Sequence, residues 1–279
     1  MKHWDYQTDI AWDKFDATKI DPEIVPLIKA AALVEYNGGQ YADHLITVFH
    51  DDPQFQKDAR NWGIEEIQHG QALGKWANMV DPAFTLESAF EKFTGGYQVP
   101  VQSGESLRGS RSGELIARCI VETGTSSYYT ALMESTDEPV LKDICRHIAA
   151  DEFRHYKLFY QHFKRYLQIE KIGFLQRLKI ALGRVSETED DELSYAYFAA
   201  NVANDNNHSY DRAYYNADYM QRTYGYYRRH HIDRAVGMIL KAVGLKAGGK
   251  MNRWIGGFAF QKIQRSRQKI IAEMAKQAA

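Results

Sequence analysis

The motif Glu-x-x-His occurs twice, as Glu66-x-x-His69 and Glu152-x-x-His155, and it constrains this chain more than any other feature. On a helix, residues three apart share a face, so each copy brings a carboxylate and an imidazole to one point. Each copy also follows a lone Glu inside an apolar stretch. Glu35 stands 31 residues before Glu66, and Glu122 stands 30 before Glu152. A single copy reads as a surface pair on a solvated helix. The full set of six, in this order and spacing, reads as the ligands of a two-metal site. Divalent cations in a dry core call for several carboxylates to balance their charge. One imidazole per metal suits iron or manganese and leaves positions for oxygen. The assignment is Glu35, Glu66 and His69 at one metal, and Glu122, Glu152 and His155 at the other, with Glu66 and Glu152 bridging.

The same helical faces nominate supporting groups. Asp151 and Glu65 each precede a ligand Glu. Each can accept a hydrogen bond from the far nitrogen of the His on the opposite pair, Asp151 behind His69 and Glu65 behind His155, unless it is simply solvated. Thr125 lies three residues after Glu122, so its hydroxyl either faces the metals and handles protons or bonds its own helix carbonyl. Gly38, Gly39, Gly63, Gly70 and Gly124 all lie within four residues of a proposed ligand and are read as sites of close helix contact, or as room for substrate. Tyr36, Tyr128, Tyr129 and Tyr156 are read as core aromatics, with a redox-active role as the alternative.

The spacing of apolar residues predicts an all-α chain. Residues 1–20 are aromatic and acidic and are expected to form an irregular arm. Asp21-Pro22-Glu23 signals a helix start, with Pro26 bending or restarting a helix that runs to about His50. Asp51-Asp52-Pro53 opens a second helix over 53–79, and Asp81-Pro82 a short one over 82–94. Residues 97–110 read as a connection. Further helices are expected over 112–135, 138–168 and 174–185, followed by an acidic run at 187–192 and a Tyr-rich, then basic, remainder. The organisation expected is an arm (1–20), a four-helix bundle (21–170) and a helical extension packed on it (171–279). Two Cys, Cys119 and Cys145, give no disulfide framework and fit a reducing cytosol. The N-terminal residues show no apolar leader, and no apolar run approaches a membrane span; a cytoplasmic protein is expected.

One Glu from each of two helices plus Glu-x-x-His from each of two others is the arrangement of ferritin-like di-iron and di-manganese proteins. Within them the chain resembles the soluble acyl-carrier-protein desaturases. The run Ile144-Cys145-x-x-Ile148-Ala149-Ala150-Asp151-Glu152-x-Arg154-His155 is similar to their fourth-helix motif, and Trp62-x-x-x-Glu66-x-x-His69-Gly70 to their second. Glu122-x-x-Thr125 is similar to their third-helix Glu and its oxygen-site Thr. The resemblance spans about 60–165. It departs at Gln68, where the family has Arg, in shorter spacings and in overall length. It implies two iron ions, dioxygen as oxidant, and an external electron donor such as a ferredoxin-type reductant. It also implies an acyl substrate to be desaturated or hydroxylated and a homodimer. Ferritin-like chains also include iron-oxidising and peroxide-scavenging proteins and a tRNA hydroxylase, so the fold leaves these alternatives open.

From Arg222 to Ala279 there are 13 Lys or Arg and two acids, Asp233 and Glu273. A basic surface attracts acidic partners. An acyl carrier protein, an anionic membrane face at 234–241 and 254–260, RNA phosphates and a plain solvated helix face are the readings open for it; nucleic acid is the least expected.

Overall fold

Asp or Glu followed by Pro punctuates the chain, and two such steps start helices as expected. A computed structural model describes residues 4–98, 105–187, 191–202 and 209–277, and every regular element among them is helical. Asp52 caps α3 (Pro53–Val80) by accepting from the Phe55 amide at 3.1 Å. Glu138 caps α6 (Pro139–Glu170) by accepting from Val140 and Leu141 at 3.2 and 2.7 Å. Ser110 caps α5 (Arg111–Ser135) through the Gly113 amide.

Three boundaries differ from expectation. Asp21 holds a turn, accepting from the Glu23 amide, and the helix begins later, with Pro26 in its first turn. That helix does not run through to His50. It is interrupted at Asn37, giving α1 (Val25–Tyr36) and α2 (Gly38–Val48). The Asn37 amide is shared between the Leu33 and Val34 carbonyls, which tightens the last turn of α1. Asp81 likewise holds a turn, accepting from the Ala83 amide and the Lys29 ammonium, so α4 (Leu86–Gly96) starts beyond it.

The ligand-bearing helices form two pairs, α1 on α3 and α5 on α6, with α2 continuing along α3. The pairs meet through α3 and α6. Close contact of α3 with α1 and α2 depends on missing Cβ atoms. A Cβ on Gly38 would lie 2.2 Å from the Glu66 Cβ, and one on Gly70 would lie 2.5 Å from the Tyr36 amide nitrogen. Gly124, by contrast, faces open space, so the packing reading does not extend to it.

Residues 4–20 form the expected irregular arm, with single 3-10 turns at Trp12–Lys14 and Ala17–Lys19. It is not loose, because Trp4 and Ile10 are buried in the core. The C-terminal part comprises α7 (Phe174–Ser186), α8 (Asp191–Asn201), α9 (Arg212–Tyr226), α10 (Arg229–Ala242) and α11 (Gly249–Gln277). Of these, α8 packs on α1, while α7 and α10 pack on α5. Residues 99–104 of the expected connection and 188–190 of the acidic run lie outside the described residues.

Candidate metal centre

Glu35 of α1, Glu66 and His69 of α3, Glu122 of α5, and Glu152 and His155 of α6 converge in the bundle interior, all buried. They fall into two sets, each with ligand atoms within 4.8 Å of one another: Glu35, Glu66, His69 and Glu152, and Glu66, Glu122, Glu152 and His155. Glu66 and Glu152 belong to both. His69 Nδ1 lies 3.4 Å from Glu35 Oε2 and 3.3 Å from Glu152 Oε1. His155 Nδ1 lies 3.0 Å from Glu66 Oε1 and 3.7 Å from Glu122 Oε2.

Each of the six side chains also leaves a buried polar atom without a hydrogen bond: Glu35 Oε2, Glu66 Oε1, His69 Nδ1, Glu122 Oε1, Glu152 Oε1 and His155 Nδ1. A buried acceptor with no donor costs about 1–3 kcal/mol, and six around one small volume call for cations, protons or bound water. The electrostatics agree. Burial, then the charges of Glu152 and Glu35, pushes Glu66 well above the usual carboxylate range. Burial, then Glu152 and Glu66, does the same to Glu122. Burial opposes ionisation of Glu152 too, but the approach of the imidazoles of His155 and His69, themselves raised well above the ordinary histidine value, outweighs it and holds that carboxyl well below its ordinary value. Four carboxylates and two imidazole nitrogens, with no Lys or Arg among them, fit two divalent cations.

The far nitrogens of both imidazoles are held from behind. His69 Nε2 meets Asp151 Oδ2 at 3.1 Å, and His155 Nε2 meets Glu65 Oε2 at 2.7 Å. A carboxylate there keeps a proton on Nε2, so that Nδ1 is the nitrogen that can turn a lone pair inward to a cation once it gives up its own proton. Asp151 also accepts from Trp4 Nε1 at 2.7 Å and Arg154 Nη2 at 2.5 Å. Its carboxyl is lowered to about 2: burial works against this, and His69, Arg154 and Trp4 overcome it. Arg154 reaches Glu65 as well, at 3.2 Å, so one guanidinium ties the two backing carboxylates together.

Thr125 Oγ1 donates to Glu152 Oε2 at 2.6 Å, with the Val121 carbonyl farther away at 3.3 Å. Tyr129 is a buried core aromatic as expected, and its hydroxyl also donates to Glu35 Oε1 at 2.6 Å. It stands two helical turns beyond Glu122 on the same face of α5, a spacing that was visible in the sequence. Tyr36 and Tyr156 pack as core aromatics, on Phe90 and Tyr160. Trp4 had no such signal, while Arg154 stands in the desaturase-like run without a role assigned to it there. Gln68, the departure from the desaturase motif, donates to the Trp4 carbonyl at 3.1 Å and so helps hold the arm over Asp151.

Behind His155 a surface groove of about 350 Å³ opens between α3 and α6, lined by Trp62, Glu65, Arg154, His155 and Lys157 among others. A third cluster, Glu134 with His230 and His231, lies elsewhere. There His231 Nδ1 accepts from the Arg228 amide at 3.0 Å, so its proton must sit on Nε2, where it donates to Glu134. That ring has no lone pair left for a metal, and the cluster is a clamp between α5 and α10. No protein-family model matches the chain, and no curated protein matches it.

Proposed function

We propose that the protein is a ferritin-like di-iron oxidoreductase that uses dioxygen to oxidise an unactivated C–H bond, with an acyl chain as substrate. The observation that carries the metal reading is the set of six inward-facing atoms, one on each expected ligand, that lack hydrogen bonds. Glu35, Glu66, His69, Glu122, Glu152 and His155 would hold the ions, with Glu66 and Glu152 shared. Bound ferrous iron would supply electrons for reducing dioxygen and the oxidising power to remove hydrogen from carbon. Desaturation balances when dioxygen takes four electrons, two from the substrate's C–H pair and two from an external donor, and leaves as two waters.

The chain's own residues prepare that reaction. Asp151 and Glu65 fix both imidazoles with Nδ1 inward. The Thr125 hydroxyl holds a proton at Oε2 of Glu152, one of the two shared ligands, and the Tyr129 hydroxyl holds one at Glu35 Oε1. Both are positioned to pass a proton as charge at the centre changes. Trp62 stands edge-on to His155 and Phe159 and walls the centre from the groove. That groove mixes charged side chains with the apolar surface of Trp62 and Leu158 and does not by itself identify an acyl substrate. The acyl reading therefore rests on the desaturase-like runs at 62–70 and 144–155.

The test has two stages. Anaerobic titration with ferrous iron should saturate near two ions per chain, and uptake of no iron would end the metal reading. The reduced, loaded protein is then given oxygen with acyl carriers, and the chains are weighed by mass spectrometry. Loss of two hydrogens or gain of one oxygen supports the acyl version. Oxygen consumption with every chain unchanged removes it and leaves iron or peroxide as the substrate.

A further inference from the structure

Helices α7 and α11 expose large apolar side chains in ordered rows. On α7, Ile180 and Ala181 turn inward, the latter into the core formed with α5 and α6. The opposite face carries Leu175, Leu178, Leu182 and Val185, three and four residues apart, with Leu175 78% and Leu182 59% exposed. On α11, Ile255, Ala259, Phe260 and Ile263 pack on Ile232, Val236 and Leu240 of α10. Its outer row runs Met251, Trp254, Phe258, Lys262, Arg265, Lys269, with Trp254 74% and Phe258 64% exposed. The two helices border one turn. A Cβ on Gly244, just after α10, would lie 2.8 Å from the Arg177 guanidinium of α7, and α11 begins five residues later.

The two helices that carry these rows are rich in bases, although Glu187 follows α7 directly and pairs with Arg108 and Arg184. Arg177, Lys179 and Arg184 are the only charged residues of α7, and α11 carries seven Lys or Arg against the single acid Glu273. Lys262 and Arg265 make no ion pair among the described residues, and with Phe258 and Lys269 they line a groove of about 350 Å³. Apolar side chains such as Trp, Phe and Leu beside a Lys/Arg-rich face are the composition of helices that lie in a membrane interface. No described helix is long and apolar enough to cross a membrane, so any contact would be from the surface.

We propose that α7 and α11 form a docking surface for an anionic lipid bilayer. Trp254, Phe258, Leu175 and Leu182 would enter the headgroup boundary, and Lys262, Arg265 and Lys269 would meet lipid phosphates. A second copy of the chain fits less well, because a twofold contact through α11 sets seven bases against seven. A folded acidic partner would answer the charge but would need a matching hollow for each protruding row. A bilayer takes in such side chains without one.

The test uses the full chain and vesicles of phosphatidylcholine with and without phosphatidylglycerol. Trp4, Trp62 and Trp76 are buried and Trp12 is half-buried, so a blue shift of tryptophan emission reports on Trp254. Expected are sedimentation with the phosphatidylglycerol vesicles alone, a blue shift on binding, and weakening as salt rises. Trp254→Ser with Phe258→Ser, and separately Lys262→Glu with Arg265→Glu, should each weaken binding by about tenfold or more with unchanged circular dichroism. Glu122→Ala should bind vesicles as the parent does, which separates this surface from the metal reading. No binding to anionic vesicles, or binding that both double variants leave intact, overturns the proposal. So does a dimer, seen by light scattering, that Trp254→Ser with Phe258→Ser converts to monomer without any vesicle binding.

Discussion

The α1–α3 and α5–α6 halves of the bundle present the same ligands and back them differently. Each contributes a lone Glu, a shared Glu and one imidazole. Behind His69, Asp151 is closed in by Trp4 and Arg154. Behind His155, Glu65 borders the groove. The inward surface is near-symmetric, as the proposed pair of cations would ask of each half. The outward surface is free to differ, so one imidazole is sealed under the N-terminal arm while the other lies near solvent.

The sharpest way to break this symmetry is to remove its shared members. Glu152→Ala or Glu66→Ala removes a ligand atom from both sets and should leave almost no bound iron. Glu35→Ala or Glu122→Ala touches one set and should leave about one ion of two. Elemental analysis of anaerobically loaded protein decides it, and an equal loss at all four positions would refute the shared assignment. Without metal the order should reverse. Glu66→Gln relieves a carboxylate that burial already pushes toward its neutral form, so the metal-free chain should melt at a higher temperature while binding less iron.

The backing carboxylates sharpen the comparison at a smaller scale. Replacing a group that orients a metal-bound His costs about 10–100-fold in affinity. Asp151→Asn should fall at the upper end, because Trp4, Arg154 and His69 all lose the same charge at a buried position. Glu65→Gln should fall at the lower end, since the groove lets water replace it. Competition titration against a chelator measures both, and a reversed order would show that the arm does not seal the site.

What was legible in the sequence follows the range of the interactions. Glu66 with His69, and Glu152 with His155, are three apart, and a local period reveals them. Asp151 and Glu65 were legible because the residue beside a ligand Glu must face the neighbouring helix once the cage is assumed. Trp4 was not, since its partner lies 147 residues away and nothing around it marks an indole for burial. The turns at Asp21 and Asp81 were misjudged for a related reason. An Asp-Pro step opens a turn or a helix alike, and the Lys29 contact that holds Asp81 is tertiary. The break at Asn37 follows from the close approach of α3, which Gly38 permits but does not announce.

Removing only the indole N–H tests the seal itself. Trp4→Phe keeps the ring over His147 and His69 and forfeits one bond to a charged acceptor, about 1.5–3 kcal/mol at most. Chemical denaturation should show that loss, and the arm should become cleavable by protease. An equally resistant arm would assign its docking to Ile10 and Gln68 instead.

The two halves differ once more at their helix caps, and the smallest effect is expected there. Glu138 caps α6 and takes the Trp76 indole of α3, while Asp52 caps α3 and takes Arg165 and Tyr166 of α6. Burial alone would raise the Asp52 carboxyl. The Arg165 guanidinium, the Phe55 amide and the Tyr166 hydroxyl outweigh it and hold the group below the ordinary carboxylate value. A depressed folded value means that the unfolded chain binds its proton first as pH falls. The cap's contribution is therefore complete above about pH 4, where the unfolded group is ionised, and is lost as pH drops through the folded value. Asp52→Asn should cost about 1 kcal/mol near neutral pH, since an amide still caps the helix but gives up the charge facing Arg165. The gap between variant and parent should narrow below pH 4, followed by urea denaturation at stepped pH. A gap that stays constant down to pH 2 would mean that the cap acts through its shape and not through its charge.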